Sequence, residues 1–338
     1  MKKIRRNNWI DIVLIVVFMM GLFSMTSFAQ EEKIIIKLGH HHSAGGLVDI
    51  LCNKFKEIAE EKSDGRLRID IFPGAQLGQE REASEGILMG TLQMTVVTET
   101  NYDNTVNGFG ISILPFVYDS FEQQIRIFND SPVGKELDAK LLEKGGRILG
   151  WLTPGPRSMI FTDKAVKTLE EMKGLKMRSP ESDLFSSMFK ALGTQPTSIT
   201  WGEAYTALQT GVADGMESPL GMIKDMHFYE VCKYCLLTSH MWGSMNLIIN
   251  ENLFQKLPED IQKVIIEAGR EAIDYANQFA IGDEEKATTW LKEQGMVFYE
   301  LTEEERGKFK EALLPVDAQW VEKHKATALF EKIQELTK

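Results

Sequence analysis

The segment Lys173–Pro180, with the sequence KGLKMRSP, says most about the architecture of this 338-residue chain. It has the pattern of a short strand that ends at Arg178 and is followed by a turn and a helix. In open α/β folds, ligands collect beyond the carboxyl ends of the strands. An arginine there offers a rigid fork of N–H donors that matches a carboxylate. The segment therefore predicts an α/β fold with an anion-binding site at Arg178.

Strand and helix patterns alternate on both sides of this segment. Apolar runs predict strands at Ile34–Leu38, Leu67–Phe72 and Gln93–Val97, with helices that begin near Leu47 and Gln79 between them. This order implies parallel pairing and a first α/β lobe. The same alternation, around the quoted segment, predicts a second α/β lobe.

A single long helix is predicted in the last third of the chain. Apolar residues recur at helical spacing from Pro258 to Gln294, and proline is well placed at the first position of a helix. Thirty-odd residues at 1.5 Å each span roughly 50 Å. Such a helix is long enough to lie across both lobes.

The first 29 residues have the pattern of a secretory signal peptide. Four lysines and arginines precede an apolar run, Trp9–Phe23, and Ser27-Phe28-Ala29 supplies small residues before Gln30. We expect cleavage after Ala29 and a periplasmic or other extracytoplasmic location. An uncleaved anchor is the alternative, although the apolar run is shorter than the ~20 residues that a spanning helix needs.

The charge of the chain argues against polyanionic partners. The formal net charge is −11, and removal of Met1–Ala29 would leave 34 Lys and Arg against 48 Asp and Glu, a charge of −14. A net negative protein binds nucleic acid and acidic membranes poorly, so no nucleic-acid partner is expected. One buried arginine can still bind a small anion, because its local field outweighs the dispersed surface charge.

Two clusters allow a metal or redox interpretation. On an extended strand end, only His40 and His42 of the triplet His40-His41-His42 would share a face, and zinc needs three or four converging ligands. Cys232-x-x-Cys235 could be a redox pair, half of a metal site, or two small apolar side chains beside a strand that an incidental disulfide joins. We expect no metal and no cofactor, since the chain has no HExxH, Gly-x-Ser-x-Gly or strand-following Gly-x-Gly-x-x-Gly motif.

Several long motifs occur in one order along the chain. They are Glu61–Arg66 (EKSDGR), Phe72–Gly78 (FPGAQLG), Leu114-Pro115-Phe116, Met172–Arg178 (MKGLKMR) and Tyr205–Pro219 (YTALQTGVADGMESP). On these motifs the chain resembles the extracytoplasmic solute-binding proteins of tripartite ATP-independent periplasmic (TRAP) transporters, of the dicarboxylate-binding (DctP) type. The resemblance covers nearly all of Ile34–Leu336.

The resemblance implies a set of ligand-binding residues. Arg178 would pair with the substrate carboxylate, Arg157 would be a second arginine of the cleft, and Trp201 would lie under the ligand. The remaining positions that the resemblance places at the ligand are His41, Glu80, Thr98, Glu217 and Ser218. Many relatives have Gln-Glu-Asn-Pro at Met216–Pro219, so Ser218 replaces an asparagine and the substrate cannot be copied from those relatives. From spacing alone, both arginines could instead form ordinary surface ion pairs.

The resemblance also implies the architecture and the function. It implies a two-lobed periplasmic-binding-protein fold with a hinge, crossing strands and a long helix spanning both lobes. We expect residues 30–155 and 244–283 in lobe I, and residues 156–243 and 284–338 in lobe II. The expected function is capture of a small organic acid by closure, without catalysis, and its delivery to the small and large integral membrane subunits of an ion-gradient-driven transporter. The alternatives are a ligand sensor for a receptor and a periplasmic metal-binding protein or enzyme.

Overall fold

The computed structural model describes residues 33–102 and 105–338. The predicted signal peptide, residues 1–29, lies outside the described residues. Among the described residues, no helix combines the length and the apolar composition that crossing a membrane requires.

The strands and helices alternate along most of the chain. The strands are β1 (Ile34–His40), β2 (Leu67–Phe72), β3 (Met94–Thr98), β4 (Gly146–Leu152), β5 (Pro156–Phe161), β6 (Lys176–Ser179), β7 (Gln195–Ser198), β8 (Gly215–Pro219), β9 (Tyr234–Trp242), β10 (Met245–Asn250) and β11 (Val297–Glu300). The α-helices are α1 (Leu47–Lys62), α2 (Glu80–Met89), α3 (Phe121–Ile125), α4 (Pro132–Leu142), α5 (Asp183–Ala191), α6 (Ala204–Gln209), α7 (Leu220–Asp225), α8 (Glu251–Phe254), α9 (Glu259–Glu293), α10 (Glu303–Lys323) and α11 (Thr327–Leu336).

The strands form two mixed sheets. The first has the order β2-β1-β3-β10-β4, and the second has the order β11-β9-β5-β8-β6-β7. The predicted parallel pairing of β1 with β2 and β3 is confirmed. The antiparallel insertion of β10 between β3 and β4, and of β5 between β8 and β9, was not predicted. These strands pair with partners far away in sequence, which local patterns do not encode.

The chain crosses between the sheets at two short adjacent segments, and a third time along the long helix α9, which leads from β10 to β11. It leaves the first sheet after β4 and enters the second at β5, and it returns between β9 and β10. The two short crossings lie against each other, because Gly243 N donates to Gly155 O at 2.9 Å and a Cβ on Gly243 would lie 2.5 Å from Pro154 Cγ. Two short adjacent segments are a suitable hinge. The lobe boundaries predicted above remain a prediction.

The long helix α9 begins and ends within a residue of the predicted positions. It packs against α1 and β4 of the first lobe and against α7, which follows β8 of the second. Asn277 fixes its middle to the first crossing: its Oδ1 accepts from Thr153 N at 2.8 Å and its Nδ2 donates to Trp151 O at 3.2 Å. The helix therefore bridges the two sheets at the hinge.

Candidate ligand-binding site

A small buried cavity lies where the two sheets face each other. Its walls come from the end of β1, the start of α2, the end of β3, the starts of β5 and α5, the end of β6, α7 and the second crossing. The lining residues are His41, His42, Glu80, Thr98, Asn101, Arg157, Arg178, Pro180, Phe185, Trp201, Met222, Ser244 and Met245. The open space inside is about 30 Å³, which holds at most a few waters. An organic acid therefore needs a more open arrangement of these walls.

Arg178 is a buried cation with an unused fork. It is the second-last residue of β6, is 3% exposed, and its Nε donates to Ile199 O at 2.9 Å. Its guanidinium lies 5.5 Å from the ring of Trp201. No ion pair joins Arg178 to a carboxylate of the described residues, so its terminal nitrogens are available to a ligand. Burial lowers the pKa of Arg178 to about 10, which leaves it charged at neutral pH.

The positive charge of Arg157 is already balanced by a carboxylate on the neighbouring strand β8. Its Nη2 donates to Glu217 Oε1 at 2.9 Å and its Nε donates to Glu217 Oε2. The antiparallel pairing of β5 with β8 brings the two side chains together, and Glu217 is completely buried. Arg157 also lies over the ring of Phe185. Glu217 is thus the partner of Arg157 and is not among the side chains that line the cavity.

The side chains of His40, His41 and His42 do not alternate between two faces of a strand as predicted. β1 ends at His40 and the backbone then bends, so the side chains of His41 and His42 both line the cavity, with their rings 4.2 Å apart. His40 instead pairs with Asp49 at 3.1 Å. The prediction that only His40 and His42 share a face was therefore wrong, because it assumed that the strand continues.

The two cavity histidines are neutral. Burial, followed by the charges of His40 and Arg178, lowers the pKa of His41 to about 3, and burial lowers the pKa of His42 well below its usual value. His41 Nδ1 and His42 Nε2 have no hydrogen-bond partner among the described residues. These two ring nitrogens can therefore form hydrogen bonds with a polar ligand without adding charge to the site.

Glu80 supplies an acceptor on the opposite wall. Its Oε1 accepts from Thr98 N at 2.6 Å and lies 3.5 Å from His41 Nε2. The site thus holds two formal positive charges, on Arg157 and Arg178, and two formal negative charges, on Glu80 and Glu217. Carboxylates accept hydrogen bonds only, so Glu80 suits the hydroxyl groups of a ligand.

Residues 38–324 match the family described as bacterial extracellular solute-binding protein, family 7, also called DctP. The chain belongs to this family. It is 30% identical to the C4-dicarboxylate-binding periplasmic protein DctP of Rhodobacter capsulatus over 87% of this chain and 89% of that protein. It is 28% identical to the 2,3-diketo-L-gulonate-binding periplasmic protein YiaO of Escherichia coli K12 over 88% of this chain and 89% of that protein.

The fold of this family 7 protein matches solved structures of TRAP solute-binding proteins. The sugar acid binding protein DctPAm of Advenella mimigardefordensis, solved in complex with galactonate, superimposes with a TM-score of 0.86 at 26% identity. The match covers 90% of this chain and 98% of that one. The predicted two-lobed α/β fold and the predicted family are therefore confirmed.

The structure brings most of the predicted site residues of this family 7 protein together. Arg157, Arg178, Trp201, His41, Glu80 and Thr98 line the cavity. Glu217 and Ser218 do not: both are fully buried in β8, and Ser218 Oγ has no hydrogen-bond partner among the described residues. A ligand contact of Ser218 remains a prediction without support from the geometry.

Several lining residues that the sequence did not indicate lie at the ends of elements or on a short helix. Ser244 lies in the second crossing, Met245 begins β10, Asn101 follows β3, and Met222 lies on α7. None belongs to a motif with a chemical signature, since their position depends on how the two sheets face each other. Met222 lies three residues after Pro219, the last residue of the motif Tyr205–Pro219.

The cysteine and metal alternatives gain no geometric support. Cys52, Cys232 and Cys235 are free and buried, and burial raises the pKa of each thiol. Buried thiols of this kind are inert. Within residues 33–102 and 105–338, no group of three His, Cys, Asp or Glu could hold a metal ion.

Proposed function

We propose that the protein captures a hydroxylated monocarboxylic acid of the sugar-acid type and does no chemistry on it. The observation that carries this proposal is the buried Arg178, whose guanidinium fork faces the cavity without a carboxylate partner. The ligand carboxylate would take the fork in two charge-assisted hydrogen bonds. Trp201 would provide an apolar wall beside it, as a sugar ring or chain requires.

The charges around the cavity favour one carboxylate over two. Arg157 is held by Glu217, so it contributes little to a second anionic group. Glu80 would repel a second carboxylate but would accept hydroxyl protons. The galactonate complex of DctPAm fits this interpretation, whereas the C4-dicarboxylate-binding DctP favours a dicarboxylate as the second candidate.

Calorimetric titration with galactonate and succinate tests the choice. We expect galactonate to bind in the micromolar range, about −8 kcal/mol, and succinate at least about tenfold more weakly, because one of its carboxylates would remain unpaired. Equal or tighter binding of succinate would refute the monocarboxylate assignment. Binding of neither acid would direct the search to other monocarboxylates in a thermal-shift panel, where a ligand at 100 times its Kd adds about 2.7 kcal/mol of stability.

Family membership supports delivery of the acid to a transporter. We propose that the loaded protein passes the acid to the small and large membrane subunits of a TRAP transporter, driven by an ion gradient. The TRAP solute-binding structures that it resembles support this role. A genome neighbourhood with genes for both membrane subunits would separate transport from ligand sensing for a receptor.

We propose export of the protein on the basis of the sequence of its N-terminal segment. We expect the exported protein to begin at or near Gln30, because Ser27-Phe28-Ala29 fits the small-residue pattern of signal cleavage. N-terminal sequencing of protein from the extracytoplasmic fraction measures this directly. A chain that keeps Met1–Ala29 and sediments with membranes would contradict cleavage.

A further inference from the structure

A second cavity lies outside the ligand-binding site. Its volume is about 300 Å³, and it is formed by the loop Pro115–Val117, by α10 and by α11. The lining residues are Pro115, Phe116, Val117, Lys310, Leu313, Leu314, Asp317, Phe330, Gln334 and Thr337. No residue is shared with the first cavity. The loop is held by Phe116 N, which donates to His240 O at 2.8 Å, so the wall is part of the fold.

The cavity contains one buried acid without a partner. Asp317 is 8% exposed, and its Oδ1 has no hydrogen-bond partner among the described residues. No ion pair joins Asp317 to a lysine, arginine or histidine in the described part of the chain. Burial alone raises the pKa of Asp317 to about 8. A carboxyl oxygen in this position loses its water and receives no hydrogen bond from the described residues in exchange, which costs stability.

The rest of the wall is mostly apolar and aromatic. Phe116, Phe330 and Leu313 belong to this lining, and so does Leu314, which is 69% exposed. The Nζ of Lys310 lies 5.5 Å from the ring centroid of Phe116, so the face of this ring already accepts a cation. Polar groups with an acceptor oxygen, Gln334 and Thr337, complete the lining. An apolar pocket with one converging acidic group has the composition of a small-molecule site.

We propose that this cavity is a second binding site, for a small organic cation with an apolar body, with Asp317 as its anchor. The ammonium group would form an ion pair with the Asp317 carboxylate, whose Oδ1 has no partner among the described residues. The apolar body would cover the ring of Phe330 and the side chains of Leu313 and Leu314, since Lys310 already lies over Phe116. A net negative protein also attracts cations to its surface. This site is independent of the proposed capture of an organic acid, since it uses other residues and a ligand of opposite charge.

The test is calorimetric titration of the mature chain at about pH 8, where Asp317 is ionised to a substantial fraction. The probes are 2-phenylethylammonium and its neutral counterpart 2-phenylethanol. We expect the ammonium to bind with a Kd of about 1 mM or tighter, and the alcohol about tenfold more weakly. No heat from the ammonium up to about 10 mM would overturn the proposal, and so would equal affinity for the alcohol.

Three variants localise the binding. Asp317→Asn keeps the shape and removes the charge, and it should lower the affinity for 2-phenylethylammonium about tenfold or more. Leu314→Trp should obstruct the mouth of the cavity and weaken both probes. Glu322→Gln is the matched control, because it removes an exposed charge of the same helix that does not line the cavity. Thermal unfolding confirms that each variant is folded. Unchanged affinity in both Asp317→Asn and Leu314→Trp would place the ammonium elsewhere and refute the site.

Discussion

Arg178→Lys is expected to weaken binding of the captured acid about tenfold to a hundredfold, and Arg178→Met by more than about a hundredfold. Each charge-assisted hydrogen bond contributes about 1.5–3 kcal/mol, and a lysine ammonium cannot reproduce two parallel bonds to one carboxylate. Calorimetric titration with galactonate, or with the acid that gives the largest thermal shift, measures the loss.

Lys176→Met is the control for Arg178. Lys176 lies two residues earlier on the same strand, carries the same charge and does not line the cavity. Its removal should leave the affinity within about twofold of the unmodified protein, since Lys176 already has an anionic partner, with its Nζ 3.8 Å from Asp214 Oδ1. If Arg178→Lys bound the acid as tightly as the unmodified protein does, Arg178 would not be the anchor.

Glu217→Gln is expected to destabilise the protein by about 3 kcal/mol or more, because it leaves the buried charge of Arg157 without its partner. The same change frees Arg157 for a second carboxylate, so the ratio of succinate to galactonate affinity should rise about tenfold. Urea unfolding measures the first effect, and calorimetric titration measures the second.

Ser218→Ala provides the comparison for Glu217. Ser218 is the next residue of β8, equally buried, and its Oγ has no partner among the described residues. Removing an unpartnered hydroxyl should change the stability by less than about 1 kcal/mol and leave the preference between the two acids unchanged. An unaltered preference in Glu217→Gln would show that the ion pair does not set the selectivity.

The sequence was informative wherever local pattern controls position. The strand end predicted at Arg178 lies one residue further on, at Ser179, and it could be predicted because a strand end and a turn can be recognised within eight residues. The long helix was bounded to within one residue by its periodicity and by Pro258. These features depend on neighbours in sequence, so they could be predicted.

Features set by distant partners could not be predicted. The pairing of β5 with β8 brings Glu217 next to Arg157, and no motif in either strand predicts this ion pair. His42 was missed because the bend after His40 cannot be distinguished from a continuing strand by alternation alone. Ser244 enters the cavity only because the second crossing returns beside the first.

Closure around the acid is the central claim. Contacts between segments of the two lobes already join the walls of the cavity. Leu47 N donates to Asp225 Oδ2 at 2.9 Å, and Arg81 Nη1 lies 3.6 Å from Glu181 Oε2. Since the cavity has only about 30 Å³ of open space, we expect this arrangement to open to admit a ligand and to close again to hold it. The ligand would shift the population toward the closed form by binding it better.

Small-angle scattering of the mature protein, with and without saturating acid, tests this claim most directly. We predict a smaller radius of gyration with the acid, and no change when the same acid is added to Arg178→Met. An unchanged radius for the unmodified protein at saturation would contradict capture by closure.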